Sequence, residues 1–116
     1  MEQILTVTAP KPAQPVAVLA VVGEIDHDSQ PLLRTITEKA LARNRNRLVI
    51  DLSNVGFCDS GGLSLFVDIH KRAEAHGGWL RLAGTQRPVL SILQATNLDR
   101  LLALYGTTEA AVADDS

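Results

Sequence analysis

Five short segments of the chain have the spacing of apolar residues that is typical of β-strands. Residues 4–8 mix Ile and Val with Thr, as in a strand with one buried face. Residues 16–22 are almost all apolar, which favours a strand buried on both faces. Residues 48–52, 79–83 and 101–105 complete the set. We therefore predict a sheet rather than an all-helical protein.

Between these strands, apolar residues recur at helical spacing. A first helix begins at a cap on Asp28 or Ser29 and has an inward face of Leu33, Ile36 and Ala40. A second helix runs to about His76, with an inward face of Leu65, Phe66, Ile69 and Ala73. A third spans residues 88–96, and residues 108–113 form either a short helix or a frayed tail.

The order of these elements predicts the fold class. Strands that alternate with helices after an initial strand pair indicate an α/β domain, in the order β-β-α-β-α-β-α-β-α. We expect a mixed, mostly parallel β-sheet of about five strands with about four helices. No repeat or linker divides the chain, so residues 1–116 are predicted to form a single domain, frayed at 1–3 and 112–116.

Composition narrows the classes of function. The formal charge is −2 and aromatic residues make up only 3% of the chain, which disfavours nucleic acid as a ligand. The sequence contains no uninterrupted apolar stretch of about 20 residues, so we predict no membrane-spanning helix. The single cysteine, Cys58, cannot form an intramolecular disulfide. We expect a soluble cytoplasmic protein without nucleic-acid or membrane partners.

The most informative chemistry lies at the start of the predicted second helix. There the chain reads Cys58-Asp59-Ser60-Gly61-Gly62, and either Asp59 or Ser60 occupies the N-cap position. We expect the two glycines, which lack β-carbons, to leave the first helical turn accessible to a partner protein. A serine hydroxyl there is a good phosphate acceptor, because a helix N-terminus favours negative charge. A simple capping serine with a glycine-rich turn is the alternative.

Other candidate groups carry weaker signals. Cys58 is expected to be a small buried residue rather than a nucleophile. The three histidines lack metal-ligand spacing, so no metal or other cofactor is predicted. Asp51 is expected to bond nearby backbone amides, and Asp26 is expected either to contact a partner or to stabilise its own turn. A serine hydrolase would need glycine where Cys58 stands, so we predict that the chain is not an enzyme.

Residues 48–63 (LVIDLSNVGFCDSGGL) resemble the signature of the STAS domain, the fold of bacterial anti-sigma factor antagonists. Residues 23–26 (GEID), 81–84 (RLAG) and 96–99 (TNLD) resemble further motifs of that family, in the expected order. The resemblance covers nearly the whole chain and implies the STAS fold. The chain departs from many members at Gly61, where they carry a second serine.

The resemblance also implies a function. In such proteins the serine after the aspartate, here Ser60, is phosphorylated by the partner, an anti-sigma factor that is a GHKL-type serine kinase. The unphosphorylated antagonist binds that kinase and releases a sigma factor, and a PP2C-type phosphatase resets the switch. By this resemblance, the expected partner-binding residues are Asp26, Asp59, Ser60, Gly61, Gly62 and Leu63.

A second role is compatible with the same fold. STAS domains also occur as subunits of lipid-transport ABC complexes, and a small free-standing domain suits that role too. Genomic neighbours discriminate between the two: a sigma factor and a GHKL kinase in one case, an ABC permease in the other.

Overall fold

A computed structural model of the chain describes residues 6–8, 16–43 and 45–114, which form a sheet with helices on both faces. The strands are β1 (Thr6–Thr8), β2 (Ala17–Ile25), β3 (Arg47–Cys58), β4 (Trp79–Ala83) and β5 (Ala103–Tyr105). The helices are α1 (Gln30–Ala42), α2 (Ser60–Ala75), α3 (Arg87–Ala95) and α4 (Thr108–Ala113), with a 3₁₀ turn at Leu98–Arg100. Within these ranges no helix is both long and apolar enough to cross a bilayer.

The predicted α/β fold and order of elements are confirmed. The strands lie in the spatial order β1-β2-β3-β4-β5. β1 pairs antiparallel with β2, and the other three strand pairs are parallel. Since consecutive parallel strands are neighbours, α1, α2 and α3 all cross over the same face and share its hydrophobic core. α4 packs on the opposite face in a smaller cluster.

The main errors in the predicted boundaries lie at the carboxyl ends of the two central strands. β2 continues to Ile25 and β3 to Cys58, so residues 53–58, which lie beyond the predicted strand 48–52, are also strand. The two extensions pair with each other, with irregular register around Gly23, whose φ of 123° suits glycine. Pairing therefore overrides the weak strand propensity of Ser, Asn and Gly. Residues 4 and 5 and Asn44 lie outside the described residues.

The helices match their predicted faces. Every residue of the predicted inward stripe of α2 is buried, as are Leu33 and Ala40 of α1, whereas Ile36 is only partly buried against the same core. α3 begins at Arg87, one residue earlier than predicted. After α3 the chain turns through Asn97, which has a φ of 61° and leads into the unpredicted 3₁₀ turn. Asparagine tolerates this left-handed conformation better than most residues.

A buried arginine attaches α4 to the second face of the sheet. Arg81 is only 3% exposed, and its guanidinium carbon lies 3.7 Å from the centre of the Trp79 ring. Its Nη1 donates hydrogen bonds of 2.8 Å to the carbonyls of Ala111 and Asp114, at the end of α4. The carbonyls that end a helix need such donors, and a buried cation needs such acceptors.

We predict that Arg81→Met loosens α4 and lowers the free energy of unfolding by about 2–3 kcal/mol, because hydrogen bonds to a charged donor contribute roughly 1.5–3 kcal/mol. Urea unfolding measures the loss, and hydrogen exchange should show the α4 amides as the most accelerated. The exposed Arg87→Met is the matched control and should change stability by less than about 0.5 kcal/mol. Equal losses in the two variants would contradict the role given to Arg81.

Candidate functional site

The candidate site lies where β2 and β3 end side by side. Ile25 is the register partner of Cys58, so the residues that follow them, Asp26 and Asp59, leave the sheet at the same edge. The carboxyl ends of parallel strands are where α/β folds place their ligand and partner sites. Both predicted aspartates therefore belong to one surface, together with the start of α2.

Asp59, not Ser60, is the N-cap of α2. Its backbone is extended, and its Oδ1 accepts a hydrogen bond of 3.0 Å from the amide of Gly62. Its Oδ2 accepts a 3.0 Å hydrogen bond from the amide of His27, and its own amide donates to the carbonyl of Ile25 at 3.0 Å. Asp59 thus joins the β2–α1 loop to the first turn of α2.

Ser60 is the first residue of α2 and is exposed. Because Asp59 supplies the cap, the fold does not need the Ser60 hydroxyl: within the described ranges no hydrogen bond engages it. The amides of Ser60 and Gly61 likewise have no acceptor in the described part of the chain. The site therefore presents an accessible hydroxyl beside unpaired amides at the positive end of a helix dipole.

The two glycines have different roles. Gly62 is buried, and a β-carbon there would lie 2.5 Å from the sulfur of Cys58 and 2.7 Å from Cγ2 of Ile25. The expectation that Gly62 leaves a surface accessible to a partner is therefore wrong: it lets α2 start tightly against the sheet. Gly61 is half-buried. A β-carbon there would lie 3.2 Å from Oδ1 of Asp59 and 3.5 Å from the side-chain nitrogen of Gln30.

Asp26 organises the turn that faces the start of α2. Its Oδ1 accepts hydrogen bonds from the amides of Ser29 at 2.9 Å and Asp28 at 3.1 Å. These bonds, the Ser29 amide above all, hold the pKa of Asp26 below its ordinary value, so the carboxylate stays charged at neutral pH. Of the two roles expected for Asp26, the structure shows the turn-stabilising one, and contact with a partner stays a prediction. Asp51 behaves as predicted too, with its Oδ1 accepting from the amide of Ser53 at 3.0 Å.

Cys58 is fully buried, as predicted, beneath the first turn of α2. Burial, reinforced by the charge of Asp59, raises the pKa of its thiol to about 12. The thiol therefore stays protonated at neutral pH, which disfavours a nucleophilic role. Among the described residues no group of three or more metal-binding side chains occurs.

A family model for the STAS domain matches residues 8–111, nearly the whole chain. The chain belongs to the STAS domain family.

Similar proteins include the anti-sigma-B factor antagonist of Bacillus subtilis, which is 33% identical over 94 residues, 79% of this chain and 84% of that protein. The crystal structure of an anti-sigma factor antagonist from Mycobacterium paratuberculosis has a TM-score of 0.82 at 28% identity, over 93% of this chain and 91% of the other. SpoIIAA of Bacillus in its phosphorylated form has a TM-score of 0.72 at 19% identity, over 92% and 96% of the two chains, a likeness of fold alone.

Of the expected partner-binding residues, this STAS domain exposes Ser60, half-buries Asp26, Asp59 and Gly61, and buries Gly62 and Leu63. Sequence reasoning missed Val67 and Leu98, which border the same region, and the exposed Phe57 at the end of β3. Val67 could have been found as an apolar residue that lies off the inward stripe of an amphipathic helix.

We predict that Gly62→Ala destabilises the domain by up to about 2 kcal/mol, since overpacking costs about 1–3 kcal/mol and the gain in helix propensity offsets nearly 1 kcal/mol of it. Gly61→Ala is the matched control, with the same change one residue earlier and no contact under 3.0 Å. It should leave stability unchanged or slightly raised. Urea unfolding of both variants measures the difference, and a loss of the same size in Gly61→Ala would contradict this packing argument.

Proposed function

We propose that this STAS domain is an anti-sigma factor antagonist, a cytoplasmic regulatory protein rather than an enzyme, switched by phosphorylation of Ser60. In its unphosphorylated form it binds an anti-sigma factor that is also a GHKL-type serine kinase, and a sigma factor is released. The observation that carries the proposal is the exposed Ser60 hydroxyl at the start of α2, where Asp59 rather than Ser60 caps the helix.

The names of related proteins support the binding partner. The Bacillus subtilis relative is named an anti-sigma-B factor antagonist, and the similar Mycobacterium structure is also that of an anti-sigma factor antagonist. SpoIIAA, which shares the fold, exists in a phosphorylated form. These proteins make an anti-sigma factor the partner to test first.

The chemistry of the switch follows from the position of the serine. The Ser60 oxygen attacks the γ-phosphorus of ATP on the kinase, ADP leaves, and the hydroxyl proton passes to a base on the kinase. The product dianion lies at a helix N-terminus, which favours negative charge by about 0.3–1 kcal/mol at exposed sites. A PP2C-type phosphatase then restores the hydroxyl, with water as the acceptor of the phosphoryl group.

Phosphorylation should release the kinase without unfolding the domain. The partner surface comprises the β2–α1 loop around Asp26 and the start of α2, so the new dianion lies inside the contact. It must lose its hydration there, next to the existing charge of Asp59. In the unbound protein, the helix dipole and the amides of Ser60 and Gly61 offset part of the repulsion between the phosphate and Asp59. In the complex, the kinase surface faces the full charge of the phosphate.

We predict one phosphate per chain after incubation with the kinase and ATP, absent in Ser60→Ala, as measured by intact-mass spectrometry. Calorimetry should show that phosphorylation weakens kinase binding at least about a hundredfold, a loss of roughly 3 kcal/mol. Ser60→Asp adds one charge rather than about two and should mimic the effect in part. Ser60→Ala should still bind and should melt like the wild type, because Asp59 holds the cap.

The matched control is Ser91→Ala, which removes an exposed helical serine on α3 and should be phosphorylated normally. Phosphate mapped to Ser53 or Ser64 would contradict the choice of Ser60. A phosphorylated form that binds the kinase as tightly as the unmodified chain would refute the switch. Weak binding that arises only because the phosphorylated domain has melted would refute the mechanism of release.

A further inference from the structure

A groove of about 380 Å³ begins at Ser60 and runs along α2. One wall is formed by the first two turns of α2 and the other by the junction between α3 and the 3₁₀ turn. Its lining consists of Ser60, Leu63, Ser64, Val67, Thr96 and Leu98. The groove thus continues the surface that carries the proposed phosphorylation site.

The lining is largely apolar. Leu63 forms a buried part of it, and Val67 and Leu98 contribute half-buried side chains. The Thr96 hydroxyl already donates to the carbonyl of Ile92, at 2.8 Å, within its own helix. The left-handed turn at Asn97 redirects the chain after α3 and so sets Leu98 against the groove. Apart from the hydroxyls of Ser60 and Ser64, a charged or strongly polar occupant would find few partners there, whereas an aliphatic or aromatic side chain would fit its chemistry.

We propose that this groove receives an apolar side chain of the anti-sigma factor kinase, and that phosphorylation of Ser60 acts by displacing this anchor. The inference rests on the proposed function and identifies the part of the partner surface that stabilises the complex. It commits to a protein side chain rather than to a small molecule or a lipid.

Continuity with Ser60 favours a protein occupant. A kinase that transfers phosphate to Ser60 must bring its active site to that hydroxyl, and its surface then extends over the adjoining groove. Interfaces draw most of their affinity from a few side chains seated in desolvated pockets. In the described chain the groove places Val67 two turns along α2 from the phosphate acceptor, within the footprint of such a partner.

The same geometry explains why a phosphate on Ser60 is effective. The hydroxyl belongs to the lining of the groove, so a dianion attached to it stands at the entrance used by the apolar anchor. Seating the anchor would strip water from the dianion without offering it a hydrogen-bond donor, which opposes binding. A serine outside such a groove could change the charge of the surface without disturbing its main apolar contact.

The test is Val67→Gln, compared with the matched control Val112→Gln on α4, which packs on the opposite face of the sheet. Val112 is 42% exposed and belongs to a helix, so the substitutions are chemically alike. Calorimetry with the kinase should show at least tenfold weaker binding for Val67→Gln and a change of less than twofold for Val112→Gln. In steady-state assays Val67→Gln should raise KM for the chain as kinase substrate and leave kcat for Ser60 phosphorylation nearly unchanged.

Val67→Thr keeps the side-chain shape but replaces one methyl group with a hydroxyl, and should weaken binding by an intermediate factor with a wild-type melting curve. Equal kinase affinity of Val67→Gln and wild type would overturn the groove proposal alone. Failure of the wild-type chain to bind a kinase would overturn the proposed function and this inference with it. Saturable binding of sodium palmitate that Val67→Gln abolishes, with kinase affinity unchanged, would overturn the inference in favour of a lipid site.

Discussion

The contact between the ends of β2 and β3 determines the geometry of everything around Ser60. Asp59 holds this region together through three hydrogen bonds. Its amide donates to the carbonyl of Ile25, and its carboxylate accepts from the amides of His27 and Gly62. Gly62 lets the helix approach so closely that any β-carbon there would collide with Cys58 and Ile25. The position of the serine is therefore set by backbone contacts and packing, and not by its own side chain.

Because Asp59 caps the helix, the neighbouring Ser60 hydroxyl is not needed for folding, and this arrangement suits a reversible switch. If Ser60 were the cap, phosphorylating it would remove a hydrogen bond that the helix needs, and binding and folding would change together. Because Asp59 caps α2, the hydroxyl can be modified while the helix keeps its first turn. The cost is a fixed negative charge beside the proposed phosphate, which the helix dipole offsets only in part. A moderately stable phosphorylated form that a phosphatase can still reset is the expected compromise.

The fold could be predicted from the sequence because apolar residues recur at strand spacing and at helical spacing in alternating segments. The inward face of α2 was predicted correctly at each of its residues. The strand boundaries could not, since residues 53–58 contain Ser, Asn and Gly and become strand only through pairing with β2. The sequence predicts that either Asp59 or Ser60 caps α2, and only the hydrogen bonds in the structure show that Asp59 does. The role of Gly62 was misjudged because an absent β-carbon can indicate either an accessible surface or close packing, and only the positions of Cys58 and Ile25 distinguish them.

The groove beside Ser60, the proposed phosphorylation site, illustrates a further limit of sequence reasoning. Its walls come from α2 and from the α3–3₁₀ junction, which lie some 30 residues apart in sequence. Neither wall has a pattern of its own that predicts a site: Val67 is one apolar residue outside a helical stripe, and Leu98 follows a left-handed asparagine. Together they place an apolar surface against Ser60, the residue that we propose is phosphorylated. Adding a charge weakens binding most where the surroundings are apolar, and this groove provides such surroundings beside Ser60.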